Sequence, residues 1–304
     1  MPVNPSVLAA TLLAACLALA PAAASAQATT PFVFERAIYQ DDKEARLKTP
    51  EGVACDDSGN VVVADTGNGR LLSFRYVAGS LSGITELKPA GVTYPRRVQF
   101  DSKGNVLVLD TKARKIFRVD PTGAVMGSIE LQAGATALKA YPVAFKVDAA
   151  DNVFVVDAVG ARVVVFDPGG AVTRRVELPK GTAAITDVHV DGSGTLYVVD
   201  GSQAAVWSAD KTATAFKPFT PSMRDKMNVP GYMTGSKGRF FLVDQNGHGI
   251  VVLGADGAFQ GRQLSIGWGD GYLYYPAQLC INAAGTAFIA DRSNNRVQIF
   301  DTNR

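Results

Sequence analysis

The sequence is poor in the residues and motifs on which most hydrolytic and metal-dependent sites rely. Its 304 residues include only two His and three Cys, and no GxSxG, HExxH or P-loop pattern occurs. These absences remove the sequence signatures of α/β-hydrolases, zincin proteases and P-loop nucleotide binders. The formal net charge of +2 also lacks the basic excess of a general nucleic-acid binder, so nucleic acid is not expected as a partner.

A hydrophobic run of membrane-spanning length is also missing. The N-terminal apolar run from Val7 to Ala20 has 14 residues, whereas a transmembrane helix needs about 20. Pro21 and the small residues Ala24-Ser25-Ala26 follow, which is the arrangement of a secretory signal. We therefore predict a signal peptide over residues 1–26 and a periplasmic or secreted mature chain without a transmembrane helix.

Two alternatives to this signal peptide stay open. The segment could be a buried N-terminal helix of the folded domain. It could also carry a lipid anchor, because Leu13-Ala14-Ala15-Cys16 matches a bacterial lipoprotein box. The residues after Cys16 stay apolar through Ala24, whereas a lipidated N-terminus normally turns polar at once, which favours secretion.

What the sequence does have is one unit repeated six times. The first copy, residues 50–74, reads PEGVACDDSGNVVVADTGNGRLLSF, and an Asp closes the second apolar run of every copy. The period lies between 43 and 47 residues, which is typical of propeller blades. The six closing residues are Asp65, Asp110, Asp157, Asp200, Asp244 and Asp291.

Each copy has the pattern of four strands. A short alternating run reaches a polar turn such as Asp56-Asp57-Ser58-Gly59, and a continuous apolar run and then a third run follow. Continuous apolarity indicates burial on both faces. A weaker fourth run lies in each spacer, as in Ala215 to Phe219. The pattern predicts an all-β fold, a six-bladed β-propeller of four-stranded antiparallel blades, forming a single domain over residues 27–304.

The sixth copy lacks a fourth run, because the chain ends soon after Phe300. Residues 31–39, PFVFERAIY, are strand-like and belong to no copy. We expect this N-terminal strand to close the last blade and cover its edge. A disordered N-terminus is the alternative.

The segment from Pro50 to Arg70 resembles the NHL repeat, with Pro-x-Gly-Val-Ala-x-Asp followed by Gly-Asn-Val-x-Val-Ala-Asp-Thr-Gly-Asn-x-Arg. The resemblance covers nearly all of residues 50–300 and, with the predicted signal, implies a propeller of the exported bacterial type. Copies four and five depart from it, because Ala205 and Gly249 stand where other copies have a basic residue. We interpret the repeated Asp and Arg as scaffold, since a carboxylate can hold loop N–H groups and a guanidinium.

Some NHL-like propellers are enzymes of the peptidylglycine α-amidating lyase type, whose zinc is held by three histidines. Two histidines in the whole chain cannot complete such a site. The incomplete match favours a non-catalytic protein, and an enzyme is the alternative.

Candidate site residues come from the first strands, which meet at the axis of a propeller. Positions two and four before the first turn share one face of each strand, and we expect that face to converge on the channel. His248, in the loop between the second and third runs of blade five, is expected to join them. The other ligand-binding candidates are Arg97, Gln99, Lys146, Asp187, His189 and Tyr232.

The same residues allow a weaker metal hypothesis. His189, Asp187 and His248 are candidate ligands for a divalent metal, but no fourth ligand is evident and no cofactor is assigned. The structural alternative is a hydrogen-bonded His189 and an exposed His248.

Two further features leave alternatives open. Blade two is basic between Tyr94 and Val119, which indicates either a solvated face or a patch for an anionic partner. Cys55 and Cys280 lie on first strands of blades that neighbour each other around the ring. Export permits a disulfide, but the expected distance and their opposite parity on the strands argue against one.

Two functions are therefore consistent with the sequence. The first is a monomeric binding scaffold that holds an unidentified peptide, glycan or protein through the channel mouth and loops. The second is a lyase or hydrolase centred on the channel residues, with His189 as base and Tyr232 as acid.

Overall fold

The computed structural model describes residues 31–131 and 140–303, together with Met1. Apart from Met1, the predicted signal peptide lies outside the described residues, as do its cleavage site after Ala26 and the lipoprotein box ending at Cys16. No helix in the described part of the chain is long and apolar enough to cross a membrane.

The described residues form six four-stranded antiparallel sheets, one for each predicted repeat. The first strand of the chain is β1 (Val33–Ile38). Blades one to three follow as β2 (Gly52–Cys55), β3 (Asn60–Asp65), β4 (Arg70–Val77), β5 (Ser80–Leu87); β6 (Pro95–Phe100), β7 (Val106–Asp110), β8 (Lys115–Val119), β9 (Val125–Glu130); β10 (Pro142–Val147), β11 (Val153–Asp157), β12 (Arg162–Phe166) and β13 (Val172–Glu177).

Blades four to six continue the series, with one short fourth strand. Only the pair Lys217–Pro218 forms it in blade four, less than the predicted run. The strands are β14 (Ile185–Val190), β15 (Leu196–Asp200), β16 (Ala205–Ala209), β17 (Lys217–Pro218); β18 (Pro230–Ser236), β19 (Arg239–Asp244), β20 (Gly249–Gly254), β21 (Phe259–Gln263); β22 (Leu279–Ile281), β23 (Thr286–Asp291) and β24 (Arg296–Asp301). One-turn 3-10 helices at Thr66–Asn68 and Arg292–Asn294 precede β4 and β24.

The first strands contact one another in cyclic order, β2, β6, β10, β14, β18, β22 and back to β2. They therefore surround the axis, and the predicted six-bladed propeller is confirmed. The second strands of blades two, three and four are buried along their whole length, as their continuous apolar runs predict. Apolar clusters join neighbouring sheets, as where Val62 and Leu71 of blade one pack with Val98 and Val108 of blade two.

The turn after the first strand has a local explanation in blades one and two. In blade one, Asp56 Oδ1 accepts the backbone N–H groups of Ser58 and Asn60, and Gly59 takes a φ of 85°. Glycine adopts this left-handed conformation without steric strain because it has no Cβ. The side-chain acceptor and the glycine together set the hairpin, and the same Asp interaction recurs in blade two at Asp101.

The N-terminal strand closes the ring, as predicted. β1 pairs antiparallel with β24, from Val33 opposite Asp301 to Ile38 opposite Val297. Ile38 is 4% exposed, and Phe32 is buried with its ring centroid 5.9 Å from that of Phe300. Blade six is therefore built from both ends of the described chain.

A disulfide joins Cys55 and Cys280, with their Cα atoms 5.8 Å apart, so the expectation against a bridge is wrong. That expectation assumed that two cysteines on neighbouring first strands can face each other only if both lie an odd, or both an even, number of residues before the turn. In a propeller, one face of each first strand is turned to the preceding blade and the other face to the following blade. Residues that face each other across two blades therefore come from opposite faces of their strands, and opposite parity is what a bridge requires.

The repeated Asp and Arg are scaffold, as interpreted. Arg70 Nε donates to Asp65 at 2.7 Å, and Arg296 Nε donates to Asp291 at 2.8 Å. Blade five lacks the Arg at Gly249, but Arg262 of its fourth strand reaches Asp244 with Nη1 at 2.7 Å. The ion pair thus survives in blade five through a residue from another position.

Candidate functional site

Among the six candidates on the first strands, Arg97 and Lys146 reach across the axis to blade five, whereas Gln99, Asp187 and His189 face the following blade. Gln99 illustrates this orientation, because its Nε2 donates to the carbonyl oxygen of Phe145 and its Oε1 accepts the N–H of Val147, both in blade three. Asp187 of blade four likewise accepts the N–H of Met233 in blade five. The structure therefore places these side chains between blades, close to the axis, and gives Gln99 a bridging role.

Asp187 is fully buried at the middle of β14. Its Oδ2 accepts the Met233 N–H at 2.8 Å, whereas its Oδ1 is buried and finds no hydrogen-bond partner in the described part of the chain. Burial raises the pKa of Asp187 to about 6, although the positive charges of Arg97 and Lys146 oppose the rise. A carboxyl group with such a pKa can change protonation state near neutral pH.

Arg97 crosses the axis from blade two. Its Nη1 donates to the carbonyl oxygen of Ala277 at 2.8 Å and its Nη2 to that of Gly231 at 2.6 Å. Its Nε is buried without a partner among residues 31–131 and 140–303, and burial lowers the pKa of the guanidinium. Arg97 thus ties blades two, five and six together beneath the channel mouth.

Tyr232 lies between two cations. The Arg97 guanidinium carbon is 5.2 Å from the centre of its ring and the Lys146 Nζ is 5.5 Å from it, both within cation–π range. Lys146 Nζ also approaches the Tyr232 hydroxyl at 3.4 Å. Four of the predicted residues, Arg97, Lys146, Asp187 and Tyr232, are therefore brought together by the fold.

His189 lies one pleat further along β14 from Asp187. Its ring packs near the rings of Tyr197 and Phe240, at 6.1 and 5.8 Å between centroids. Its Nδ1 is buried and without a partner in the described chain. Burial, followed by the charge of Lys146, lowers its pKa to about 3, so His189 is neutral at physiological pH. A group with so low a pKa is a poor general base.

The second histidine lies elsewhere. His248 precedes β20, whose first residue pairs with Asp244 at the start of blade five's sheet. His189 instead approaches Gly235 at the opposite end of β18, where an added Cβ would come within 3.0 Å of its Nε2. The two histidines are therefore at opposite ends of the blade and do not form one site.

No group of three or more His, Cys, Asp or Glu side chains in the described residues could hold a metal ion. The expectation of a divalent metal remains a prediction, and metal analysis of the purified protein tests it.

A cavity of about 200 Å³ lies at the channel mouth. Every blade contributes to its wall, which also includes Arg97, Ile185, Val229 and Gln245. The contribution of each blade, in order, is Glu51, Arg96, Val143, Thr186, Gly231 and Ala277.

The rim of this cavity carries charges of both signs. Arg96 Nε donates to Glu51 Oε2 at 2.9 Å, and Arg292 Nε lies 3.4 Å from Glu51 Oε1. Sequence reasoning missed Glu51 and Gln245 because it considered only positions two and four before the turn. The position five before the turn, which lies just before β2 begins, would have identified Glu51 as a rim residue.

The NHL-repeat model matches residues 47–74 and 273–300. These segments are the repeats of blades one and six, the two copies that keep the pattern best. The protein is thus a six-bladed β-propeller with NHL repeats at these two positions. No curated protein matches the sequence.

Solved propellers share the fold at low identity. A streptogramin B lyase aligns with a TM-score of 0.63 at 13% identity, covering 89% of this chain and 96% of that one. A gluconolactonase from Xanthomonas campestris gives 0.64 at 14%, covering 90% and 98%. The WD40 propeller domain of Doa1 gives 0.63 at 13%, covering 91% and 99%. At such identities the likeness shows the fold alone, and fold does not imply function.

Proposed function

We propose that the protein is an exported propeller that binds a small polar ligand, such as a sugar or the end of a peptide, at its channel mouth. The observation that carries this proposal is the cavity of about 200 Å³ to which every blade contributes. Concave sites with a few convergent polar groups are where proteins usually hold ligands. Export is supported by the predicted signal peptide and by the Cys55–Cys280 disulfide, since disulfides persist in oxidising compartments.

The polar groups of the cavity favour a ligand that carries its own charge or hydroxyl groups. The Arg96–Glu51 ion pair lies at the rim, and the Arg96 side chain is 39% exposed. A ligand carboxylate can approach Arg96 from solvent, while the buried Glu51 holds Arg96 and Arg292 in place. Arg97 lines the same cavity, whereas the neighbouring Asp187 does not, and each retains one buried polar atom without a partner in the described chain.

A ligand-stabilisation melting screen tests the proposal. Neutral sugars, sugar acids, amino acids and short peptides are added to the purified protein at millimolar concentration. A compound present at about 100 times its Kd stabilises the folded state by about 2.7 kcal/mol, and we expect a rise in Tm of about 5 °C. The rise should be lost in a rim variant, Arg96→Gln with Gln245→Ala.

The matched control is Glu130→Gln on the outer strand of blade two, whose side chain is 55% exposed. This control should retain the full rise. A screen in which no class changes Tm, or in which the rim variant responds like the parent protein, would contradict the proposal.

The second candidate function is acid–base catalysis, as in a lyase or hydrolase. The observation that favours it is Asp187, whose pKa is raised to about 6 by burial beside Lys146 and Tyr232. Asp187 suits the role of general base better than His189, which has a pKa of about 3. Turnover of a lactone or ester substrate that disappears in Asp187→Asn, with binding retained, would establish this function in place of pure binding.

A further inference from the structure

An exposed aromatic surface lies apart from the channel mouth. It consists of residues 265–275, here called the aromatic loop, between β21 and β22, together with Tyr39 after β1. Trp268 is 75% exposed, Ile266 57%, Tyr272 50% and Tyr39 41%. Exposed bulky apolar side chains are ordinary when scattered, but a contiguous patch marks an interaction site.

These side chains are contiguous. The Tyr39 hydroxyl donates to Asp270 Oδ1 at 2.6 Å, which joins β1 to the aromatic loop. Tyr272 packs over Gly267, where an added Cβ would lie 2.7 Å from the Tyr272 Cβ. The Trp268 ring is 5.9 Å from that of Tyr274. The backbone of Ile266 forms an isolated β-bridge with that of Leu273, whose fully buried side chain anchors the loop.

The buried scaffold of blade six holds the aromatic loop in place. Arg296 Nη2 donates to the carbonyl oxygens of Gly269 at 2.7 Å and Tyr272 at 2.8 Å, while its Nη1 donates to Asp270. Gln298 accepts the N–H of Gly271 and donates to the Tyr272 carbonyl oxygen. A loop ordered before binding loses little conformational entropy when a partner docks.

His248 supports the same loop from blade five. Its ring stacks on Tyr274, with centroids 5.3 Å apart and planes 16° apart. Its Nδ1 accepts the backbone N–H of Tyr275 at 3.0 Å. Partial burial lowers its pKa, so it adds no positive charge here at neutral pH. His248 is thus a positioning residue for the aromatic loop.

The aromatic loop itself is close to neutral, and the cations Arg36 and Arg46 lie beside Tyr39, at the edge of the surface. The chain contains no Lys or Arg between Arg262 and Arg292. The one carboxylate of the aromatic loop, Asp270, forms an ion pair with Arg296 at 2.8 Å. Anionic lipids and acidic polymers are recognised by clustered Lys and Arg, so this surface does not suit them.

We propose that the aromatic loop and Tyr39 form a docking surface for a protein partner that contributes a neutral, apolar segment. The cores of protein interfaces are enriched in aromatic residues and depleted of charge, and Trp and Tyr dominate their binding energy. The Ser, Gly, Trp and Tyr composition of the loop also resembles that of antibody paratopes, where rigid aromatic anchors bind at low entropic cost. The exposed aliphatic Ile266 suits an apolar polypeptide better than a sugar. This proposal does not rest on the channel-mouth function.

The test uses Trp268 as its own reporter. The chain has two Trp, so Trp207→Phe leaves Trp268 as the sole indole. A phage-displayed library of random peptides is selected on the immobilised protein, with soluble Trp268→Ser protein as competitor. We expect uncharged, apolar peptides to be enriched and to shift the Trp268 emission to the blue. Their affinity should fall at least about tenfold in Trp268→Ser, as for a hot-spot residue.

Two further variants keep the result interpretable. Val77→Ser removes a side chain that is 50% exposed on β4, and it should leave affinity within about twofold, as expected away from an interface. Tyr272→Ser should weaken binding even if Trp268→Ser proves poorly folded. Four outcomes would overturn the proposal: no enrichment, equal binding to Trp268→Ser, protection of Trp268 by neutral oligosaccharides or phosphatidylcholine vesicles but not by peptides, or a Trp268-dependent dimer in sedimentation.

Discussion

Blades four and six use the same repeat in different ways. In blade six, Asp291 accepts from Asn294, Arg296, Gln298 and the backbone N–H of Tyr274. In blade four, the equivalent Asp200 accepts only from its own loop, and its Oδ2 is buried without a partner in the described residues.

The contrast extends through the sheet of blade four. Within the described chain, blade six has one buried polar atom without a partner, Arg292 Nε, whereas blade four has four, spread over its first three strands. They belong to Asp187, His189, Asp200 and Trp207. Each such atom costs about 1–3 kcal/mol, and in native proteins it calls for an explanation. Blade six keeps the full set of contacts around its repeat Asp, and these contacts stabilise the fold. Blade four lacks several of them, and two of its residues with partnerless atoms, Asp187 and His189, are candidate site residues.

Removal of the closing strand should have the largest effect. Deletion of residues 31–39 exposes the edge of β24 and removes the buried side chains of Phe32 and Ile38. We expect a loss of roughly 5 kcal/mol or more in the free energy of unfolding, measured in urea. The matched change in blade four, Lys217→Ala with Pro218→Ala in the exposed β17, should cost less than about 1 kcal/mol. Similar losses for both would remove the distinction between the blades.

Removal of the repeat Asp should cost more stability in blade six than in blade four, and this is the second largest effect that we expect. Asp291→Ala leaves Arg296, whose side chain is 1% exposed, without its buried counter-charge, which should cost about 3–5 kcal/mol. Asp200→Ala removes only hydrogen bonds within one loop and should cost about 1 kcal/mol. Thermal and urea unfolding of both variants measure the difference. Equal costs would show that Asp200 has a counter-charge after all.

The buried carboxyl of blade four should make stability depend on pH. As pH rises, the unfolded chain loses the Asp187 proton near pH 3.8, but the folded protein loses it only near pH 6. The free energy of unfolding should therefore fall between these values and stay lower above them. The fall, relative to Asp187→Asn, should reach roughly 3 kcal/mol. Parallel stability curves for the two proteins over pH 3–8 would contradict the raised pKa.

Blade five lies between blades four and six in the ring. Loss of its substitute ion pair should have the smallest of the four main effects on stability. Arg262→Ala leaves the buried Asp244 without its cation, and we expect a cost of about 2 kcal/mol. The control is Lys115→Ala, because the Lys115–Glu130 pair is largely exposed and should contribute less than about 1 kcal/mol. If Arg262→Ala is as mild as the control, the substitute ion pair of blade five has no structural importance.

Much of the fold could be predicted from local sequence patterns. The number of blades, the pairing of the N-terminal strand with Phe300's strand and the scaffold role of Asp65 and Arg70 all follow from repeated short segments. The candidate site could be predicted only in part. Arg97, Lys146, Asp187 and Tyr232 do come together, but Gln99 bridges two blades and His248 supports a loop at the other end of blade five from His189.

The sequence by itself determined the repeat, the strands and the ring. Strand pairing in blades one to five joins neighbours that are close along the chain, and the N-terminal strand left over matches the fourth strand that the sixth copy lacks. Only the tertiary structure decided what lies between blades. The Cys55–Cys280 bridge, the Gln99 hydrogen bonds to blade three and the exposure of Trp268 each depend on which face of a strand or loop meets the next blade. The geometry of the closed ring sets that choice, and residues far apart in the chain then share one interface.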